Sequence, residues 1–588
     1  MIEHEHFRRY AFLSVLLFVI PALIAVQLIR VRLDPNMAKD FRIIGPLFET
    51  EQHLVTPARG QILDRWGNLL AGNRTVYEVS VELKQVKNPQ TIALTLKTVL
   101  GEDYDEILAR ASGLKSEGLL NVVLVDNVSQ TDIDDLKFVQ EQMQAAYGNN
   151  NAEGAPSLSG LRFTPHLGRI YPEKTLASNL LGFVGRDSRG YFGIEERYND
   201  LLAGKPKMIL VSRDPNRVRE NPSVPDGASL VLTLDRAVQQ KMEEVIDAAI
   251  IETGSSSGTL LVMDPRNGEI LALATTPRLD LNEFWQYSDL FSEEAPYNRG
   301  ISQAYEPGSV FKVLTMASAL DDGAVKPETV FVDTGAIEVG GVTIYNWNSG
   351  AWGPQDMLGC MQHSLNVCLA WVATQIGAND FYRYLQNFGI GHATGVDMAG
   401  EASGRLKIPG DTDWFAADLG TNAFGQGVAA TPLQMGTAIS AIANHGKMMA
   451  PHIVRSVVSE GYQHDIEQRV LGMPVSAETA DTLSNLLARS LETESSDALV
   501  TGYRVAGKTG TAEIPTPFGY TTNQTNASFV GWGPVDDPRF LVYVWLEKPA
   551  TSPWGSIVAA PVFRRAVEEL VVLINLPPDD VRRQLNGN

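Results

Sequence analysis

Cysteine is nearly absent from this chain: among 588 residues only Cys360 and Cys368 occur. They form no metal-binding pattern. Eight positions apart in what reads as one helix, they are too far apart to bridge and are expected to be two small buried residues. The nine histidines are scattered without ligand spacing, so no metal site is expected. Positive charge is also short. With 48 Lys and Arg against 69 Asp and Glu the formal charge is −21, and a nucleic-acid partner is excluded because phosphate contacts need a clustered basic face.

What is present is ample core material. Hydrophobic residues make up 44% of the chain, which excludes a disordered or fibrous protein, and the length has room for about three or four domains. Tyr10 to Ile29 is an almost uninterrupted apolar run, long enough to cross roughly 30 Å of hydrocarbon. Its end, Val26-Gln27-Leu28-Ile29-Arg30, lacks the small residues of a cleavage site, so it reads as a retained anchor, and Pro21 is tolerable within it. Arg8 and Arg9 on one flank face Arg30 and Arg32 on the other, and this balance decides orientation poorly. The short N-terminus against a large acidic remainder favours residues 1–9 as a cytoplasmic tail, 10–29 as the anchor and the bulk outside.

From Val55 the chain turns at Trp66-Gly67-Asn68 between strand-like runs, and Tyr77 to Val81 alternates as a half-buried strand. Asn88 to Gln144 carries amphipathic helical periods, and Tyr147 to Gly160 is a polar loop. Asp214 to Gly227, DPNRVRENPSVPDG, reads as a linker. The expected division is therefore 30–227, an N-terminal pedestal, 228–576, a catalytic domain, and 577–588, a tail. In the second region Asp235 is placed to cap a helix striped by Val238, Met242, Val245, Ile246 and Ala249 and ended by Gly254. Asn267-Gly268 joins two apolar strands in a hairpin. A second hairpin turns at Pro534 to Pro538, followed by a helix around Val562 to Leu573. Strands at both ends with helices between predict an α+β fold, an antiparallel sheet with helices segregated from it. Gly254-Ser255-Ser256-Ser257-Gly258 fits the G-x-S-x-G pattern but runs from helix to strand, the inverse of a nucleophile elbow, so it is assigned as a turn.

The chemistry is expected in the stretch YEPGSVFKVLTMASAL, Tyr305 to Leu320. Pro307 and Gly308 interrupt the chain, and Ser309 then opens a helical apolar pattern. Lys312 lies one turn on, so its amine can reach back toward the Ser309 hydroxyl. The first-turn N–H groups favour an oxyanion there. Ser364-Leu365-Asn366 falls inside a helical run, where residues two apart cannot share a face, so the helix is expected to be interrupted, or its end exposed, near this point. Lys508-Thr509-Gly510-Thr511 follows the strand-like Tyr503 to Ala506. Its ammonium and hydroxyls suit a carboxylate, and Gly510 would let a substrate backbone lie along the strand edge.

Together S-x-x-K, S-x-N and K-T-G, in that order, resemble the active-site set of penicillin-binding proteins and serine β-lactamases. Over nearly its whole length the chain is similar to class B penicillin-binding proteins, through RGQILDRWGNLLA, GFVGRDSRGYFGIEERYNDLLAG, YEPGSVFK, FGQGVAATPLQM and KTGTAE. It departs at Trp66, where that family usually has Asn. The resemblance implies a transpeptidase domain of the penicillin-binding protein and serine β-lactamase type on an elongated β-rich pedestal with one transmembrane helix. It implies a peptidoglycan D,D-transpeptidase anchored in the cytoplasmic membrane with its catalytic domain outside. Ser309 is then the nucleophile and Lys312 the base, and Ser364 relays a proton. Asn366 binds the donor amide and Lys312, while Lys508, Thr509, Gly510 and Thr511 hold the donor, with the Ser309 and Thr511 N–H groups as oxyanion hole. β-Lactams would acylate Ser309. No metal or organic cofactor is implied. The implied partner is a membrane glycosyltransferase of the shape, elongation, division and sporulation family. The alternatives are a β-lactamase or D,D-carboxypeptidase on the same fold, or a non-enzymatic β-lactam sensor.

Overall fold

The computed structural model describes residues 2–34, 50–113, 120–147, 154–212, 224–494, 496–516 and 519–585. Two units separate by their contacts, residues 1–57 with 204–226 and residues 58–203 with 227–588. The first holds helix α1 (Ile2–Leu33) and strand β1 (Thr50–Val55), which pairs antiparallel with the strand Lys207–Ser212. Tyr10–Arg30 within α1 has a mean hydropathy of 2.7 and is long and apolar enough to span a membrane. The helix runs on through Pro21. Most of the expected linker, residues 214–223, lies outside the described residues, as do residues 148–153 of the expected polar loop.

The second unit contains two large sheets. The first is assembled from β2 (Ile62–Leu63), β3 (Leu69–Glu82), β4 (Asn121–Val128), β5 (Leu161–Ile170) and β6 (Ser229–Leu232), together with β9 (Val454–Ser459) and β10 (Tyr462–Asp465). Its order is β10-β9-β6-β2-β3-β4, with β5 also on β3, and β2 runs parallel to β6. This sheet therefore takes strands from both sides of position 227. Strand β4 lies within the stretch expected to be helical. Its VVLV run prefers the pleated surface, and helices Pro89–Leu100, Tyr104–Ala111 and Gln130–Tyr147 flank it.

The second sheet is five-stranded and antiparallel throughout. It is built from β7 (Ser257–Met263), β8 (Ile270–Thr275), β11 (Ala506–Thr516), β12 (Gly519–Gly533) and β13 (Phe540–Glu547) in the order β8-β7-β13-β12-β11. Alternation sends Leu260, Val262, Phe529, Val542 and Val544 into one core and Leu261, Met263, Val530, Tyr543 and Trp545 into another. The first core is closed by α2 (Arg236–Thr253) and α6 (Ala560–Leu573), the second by the central helical section. Helices thus cover both faces of the sheet. Asp235 accepts from the N–H groups of Ala237 and Val238, and Gly254 closes α2 in the left-handed conformation. The Gly254–Gly258 segment is the turn from α2 into β7, as its inverted context predicts.

Candidate functional site

The Ser309 turn is shaped by its glycines. A short 3₁₀ turn, Gly308–Phe311, leads into α3 (Lys312–Asp322), with Gly308 at φ +60°. The Gly308 N–H donates to the carbonyl of Gly425 at 3.1 Å, and Tyr305 and Ala430 exchange two main-chain bonds. A Cβ on Gly425 would lie 2.3 Å from the Gly308 carbonyl. The FGQGVAATPLQM segment therefore forms the bed of the S-x-x-K turn. Glu306, which the motif reading passed over, accepts from the Gly427 N–H at 3.0 Å and from the Tyr520 hydroxyl at 3.3 Å. Burial raises its carboxyl above the ordinary range. Its place in YEPGSVFK, three residues before Ser309, was the sequence signal for it.

Lys312 is fully buried. Its Nζ donates to Ser364 O at 2.7 Å, Ser364 Oγ at 3.1 Å and Asn366 Oδ1 at 2.7 Å. No carboxylate pairs with it among the described residues. Desolvation first, and the positive charge of Lys508 second, hold its amine well below the ordinary value of 10.5.

The S-x-N element sits where the helical run breaks. Helix α4 (Met357–Gln362) ends, Ser364 takes φ +53°, and α5 begins at Asn366 and runs to Ile376. The Leu365 N–H returns to the Cys360 carbonyl at 3.0 Å. Trp347 Nε1 donates to the His363 carbonyl at 3.1 Å, and Asn366 Nδ2 donates to the Tyr345 carbonyl at 3.2 Å. This break overturns one expectation. Cys360 and Cys368 form a disulfide, with Cα atoms 6.0 Å apart. An unbroken helix would set residues eight positions apart about 12 Å from each other. The turn at Ser364 folds α5 back and closes that distance. Both cysteines are buried, as expected.

Lys508, Thr509, Gly510 and Thr511 lie within β11, the end strand of the five-stranded sheet, rather than after a strand. Lys508 is buried, with Nζ 3.3 Å from Thr509 Oγ1. Gly510 is needed for packing within the protein. A Cβ there would meet Ser528 Oγ at 2.2 Å and Val310 Cγ1 at 3.0 Å. The space that a side chain would occupy there is filled by the neighbouring strand and the Ser309 turn. Thr511 Oγ1 accepts from the Gly555 N–H at 3.0 Å, which leaves its own O–H to donate elsewhere. A Cβ on Gly308 would lie 2.9 Å from the Thr511 carbonyl, so the Ser309 turn abuts this strand. Lys312 bonds to both residues of the S-x-N pair, and the Ser309 turn packs against K-T-G, so the three motifs converge.

The family model of the penicillin binding protein transpeptidase domain matches residues 258–568, more than half of the chain, and that of the penicillin-binding protein dimerisation domain matches residues 54–228. The chain belongs to the class B penicillin-binding proteins. Stage V sporulation protein D of Bacillus subtilis is 30% identical over 539 residues, covering 89% of this chain and 79% of that protein. Peptidoglycan D,D-transpeptidase FtsI of Escherichia coli is 27% identical over 538 residues, covering 89% and 85%. The crystal structure of a peptidoglycan synthetase from Bifidobacterium adolescentis matches with a TM-score of 0.68 at 26% identity, over 90% of this chain and 98% of that one.

Two segments that carried the resemblance meet in this penicillin-binding protein. Arg59 of RGQILDR and Arg169 both pair with the buried Glu195 of GFVGRDSRGYFGIEERY, at 2.6 and 2.7 Å. Trp66, the departure from the usual Asn, donates through Nε1 to Asp235 Oδ2 at 2.7 Å. The substituted ring thus ties the β2–β3 turn to the cap of α2.

Proposed function

We propose that the chain is a peptidoglycan D,D-transpeptidase that cross-links stem peptides through an acyl-enzyme on Ser309. The observation that carries this reading is Lys312, a buried lysine without a counter-ion among the described residues, bonded to Ser364 and Asn366 one helical turn from Ser309. As a neutral amine Lys312 takes the Ser309 proton, and Oγ attacks the carbonyl of the penultimate D-alanine. The developing oxyanion is held by the Ser309 and Thr511 N–H groups, each such donor contributing about 3 to 4 kcal/mol in comparable sites. Ser364, in contact with Lys312, passes a proton to the departing D-alanine amine. Asn366 holds the donor amide, and Lys508, Thr509 and Thr511 hold its terminal carboxylate. An amine from a second stem peptide then takes the acyl group and frees Ser309. β-Lactams acylate the same oxygen, and no metal or organic cofactor enters the reaction.

Residues 1–9 form a cytoplasmic tail, 10–29 the anchor, 30–227 the pedestal, 228–576 the transpeptidase domain and 577–588 a tail, with the bulk outside the cytoplasmic membrane. The Cys360–Cys368 disulfide supports that placement, because such bonds persist in oxidising compartments. The anchor and pedestal recruit a glycosyltransferase of the shape, elongation, division and sporulation family, so deleting residues 30–227 abolishes copurification with it. The activity is tested by supplying lipid-linked disaccharide pentapeptide and a polymerase. The expected products are free D-alanine and cross-linked dimers, both lost in Ser309→Ala. D-alanine release without dimers would contradict transpeptidation in favour of a carboxypeptidase.

A further inference from the structure

Cys360 in α4 and Cys368 in α5 stand on either side of the S-x-N element and are bonded to each other, both fully buried. The loop they close contains every group that accepts a hydrogen bond from Lys312, namely Ser364 O, Ser364 Oγ and Asn366 Oδ1. Within it Ser364 is held at φ +53°, a conformation that residues other than glycine rarely adopt and that persists only where the surroundings impose it. Two main-chain bonds tie the turn to the end of α4, Leu365 N to Cys360 O and Ser364 N to Met361 O. The first turn of α5 has no side-chain cap from Leu365. The disulfide is the covalent tie between the two helices whose junction presents all three acceptors.

We propose that the Cys360–Cys368 disulfide is a positioning device for acyl transfer: it fixes Ser364 and Asn366 against the Lys312 amine and keeps water from entering between them. This rests on the reading of Ser309 as nucleophile and Lys312 as base. Through-space charge reaches Lys312 from Lys508 on β11, while the turn itself contributes only the neutral Ser364 and Asn366. His363, the titratable residue of the turn, has its ring stacked on Trp352 at 4.1 Å. Desolvation is the larger of the two effects on Lys312. Loosening the junction rehydrates the amine and strengthens its hold on the proton, so the neutral base forms only at higher pH. A bond that served stability alone would lower the melting temperature and leave this dependence in place.

The test compares full-length wild type in detergent with Cys360→Ala/Cys368→Ala. The second-order rate of acylation by benzylpenicillin is followed by intact mass across the pH range, beside thermal melting and a thiol titration of denatured, unreduced wild type. The expected result is a variant about tenfold slower near neutral pH. Its rate should rise at a pH higher by about half a unit or more, and wild type should give no titratable thiol. Rates within about twofold with superimposable pH profiles, or free thiols in wild type, would overturn the proposal. Where the alanine pair is unfolded at the assay temperature, Cys360→Ala/Cys368→Val refills part of the volume and is read by the same outcomes. A wild type that benzylpenicillin does not acylate would overturn the functional reading itself. Acylated wild type with an unchanged variant overturns only the role of the disulfide.

Discussion

Glu195 and Lys312 are both withdrawn from water, and their surroundings treat them in opposite ways. Glu195, fully buried, is flanked by Arg59 and Arg169 at 2.6 and 2.7 Å and by the Tyr171 hydroxyl at 3.3 Å. Each carboxylate oxygen meets a guanidinium, and these pairs lock together the segments that carry them. Lys312 has neutral acceptors and a second cation nearby, and no carboxylate among the described residues. Its proton is the easier thing to lose. A compensated buried charge serves architecture, whereas an uncompensated one is pushed toward its neutral form, the form that acts as a base.

The sharpest way to break the comparison is to remove each group in turn. Lys312→Met should slow acylation about a thousandfold or more while leaving the melting temperature unchanged or higher, as benzylpenicillin kinetics and calorimetry would show. A slow variant that is also unstable would place Lys312 with Glu195 as a structural charge. Glu195→Gln should do the reverse. Leaving two arginines short of their counter-ion costs about 3 to 5 kcal/mol of stability, read from denaturant unfolding, with the acylation rate per folded molecule changed by less than about threefold.

The pH dependence sharpens the contrast further. Because Lys312 has a lower pKa folded than unfolded, the unfolded chain binds the extra proton between those two values. Its contribution to stability is therefore present above the unfolded value near 10.5 and is lost as pH falls through the lowered folded value. Lys312→Met should flatten that slope in unfolding measurements, and wild-type acylation should rise with pH through the folded value. The smallest effect is at the β2–β3 turn. Trp66→Phe removes one hydrogen bond to Asp235 and should cost about 1 kcal/mol, with no change in acylation.

The parts of the site that depend on local chain geometry were legible in the sequence. Ser309 and Lys312 are one helical turn apart, and because Ser364 and Asn366 cannot share a helix face, an interruption or an exposed helix end was expected where α4 and α5 break. The consequence of that break was not legible. The turn at Ser364 has a positive φ and is met by Lys312 and Trp347 from distant positions, and without that turn Cys360 and Cys368 read as unbridgeable. The packing of Gly510 was hidden for the same reason, since Ser528 and Val310 come from other parts of the chain. In the scaffold, β4 was hidden because its apolar residues fit a helical period as well as a pleat, and the pairing of β6 with β2 across position 227 has no local signature.

The most direct measurement is intact mass of wild type and Ser309→Ala after incubation with benzylpenicillin, followed for hours. A single adduct of the penicillin's mass, stable over that time on wild type and absent from Ser309→Ala, is the predicted result. An adduct on the alanine variant, or one that vanishes from wild type while penicillin is consumed, would contradict a durable acyl-enzyme on Ser309.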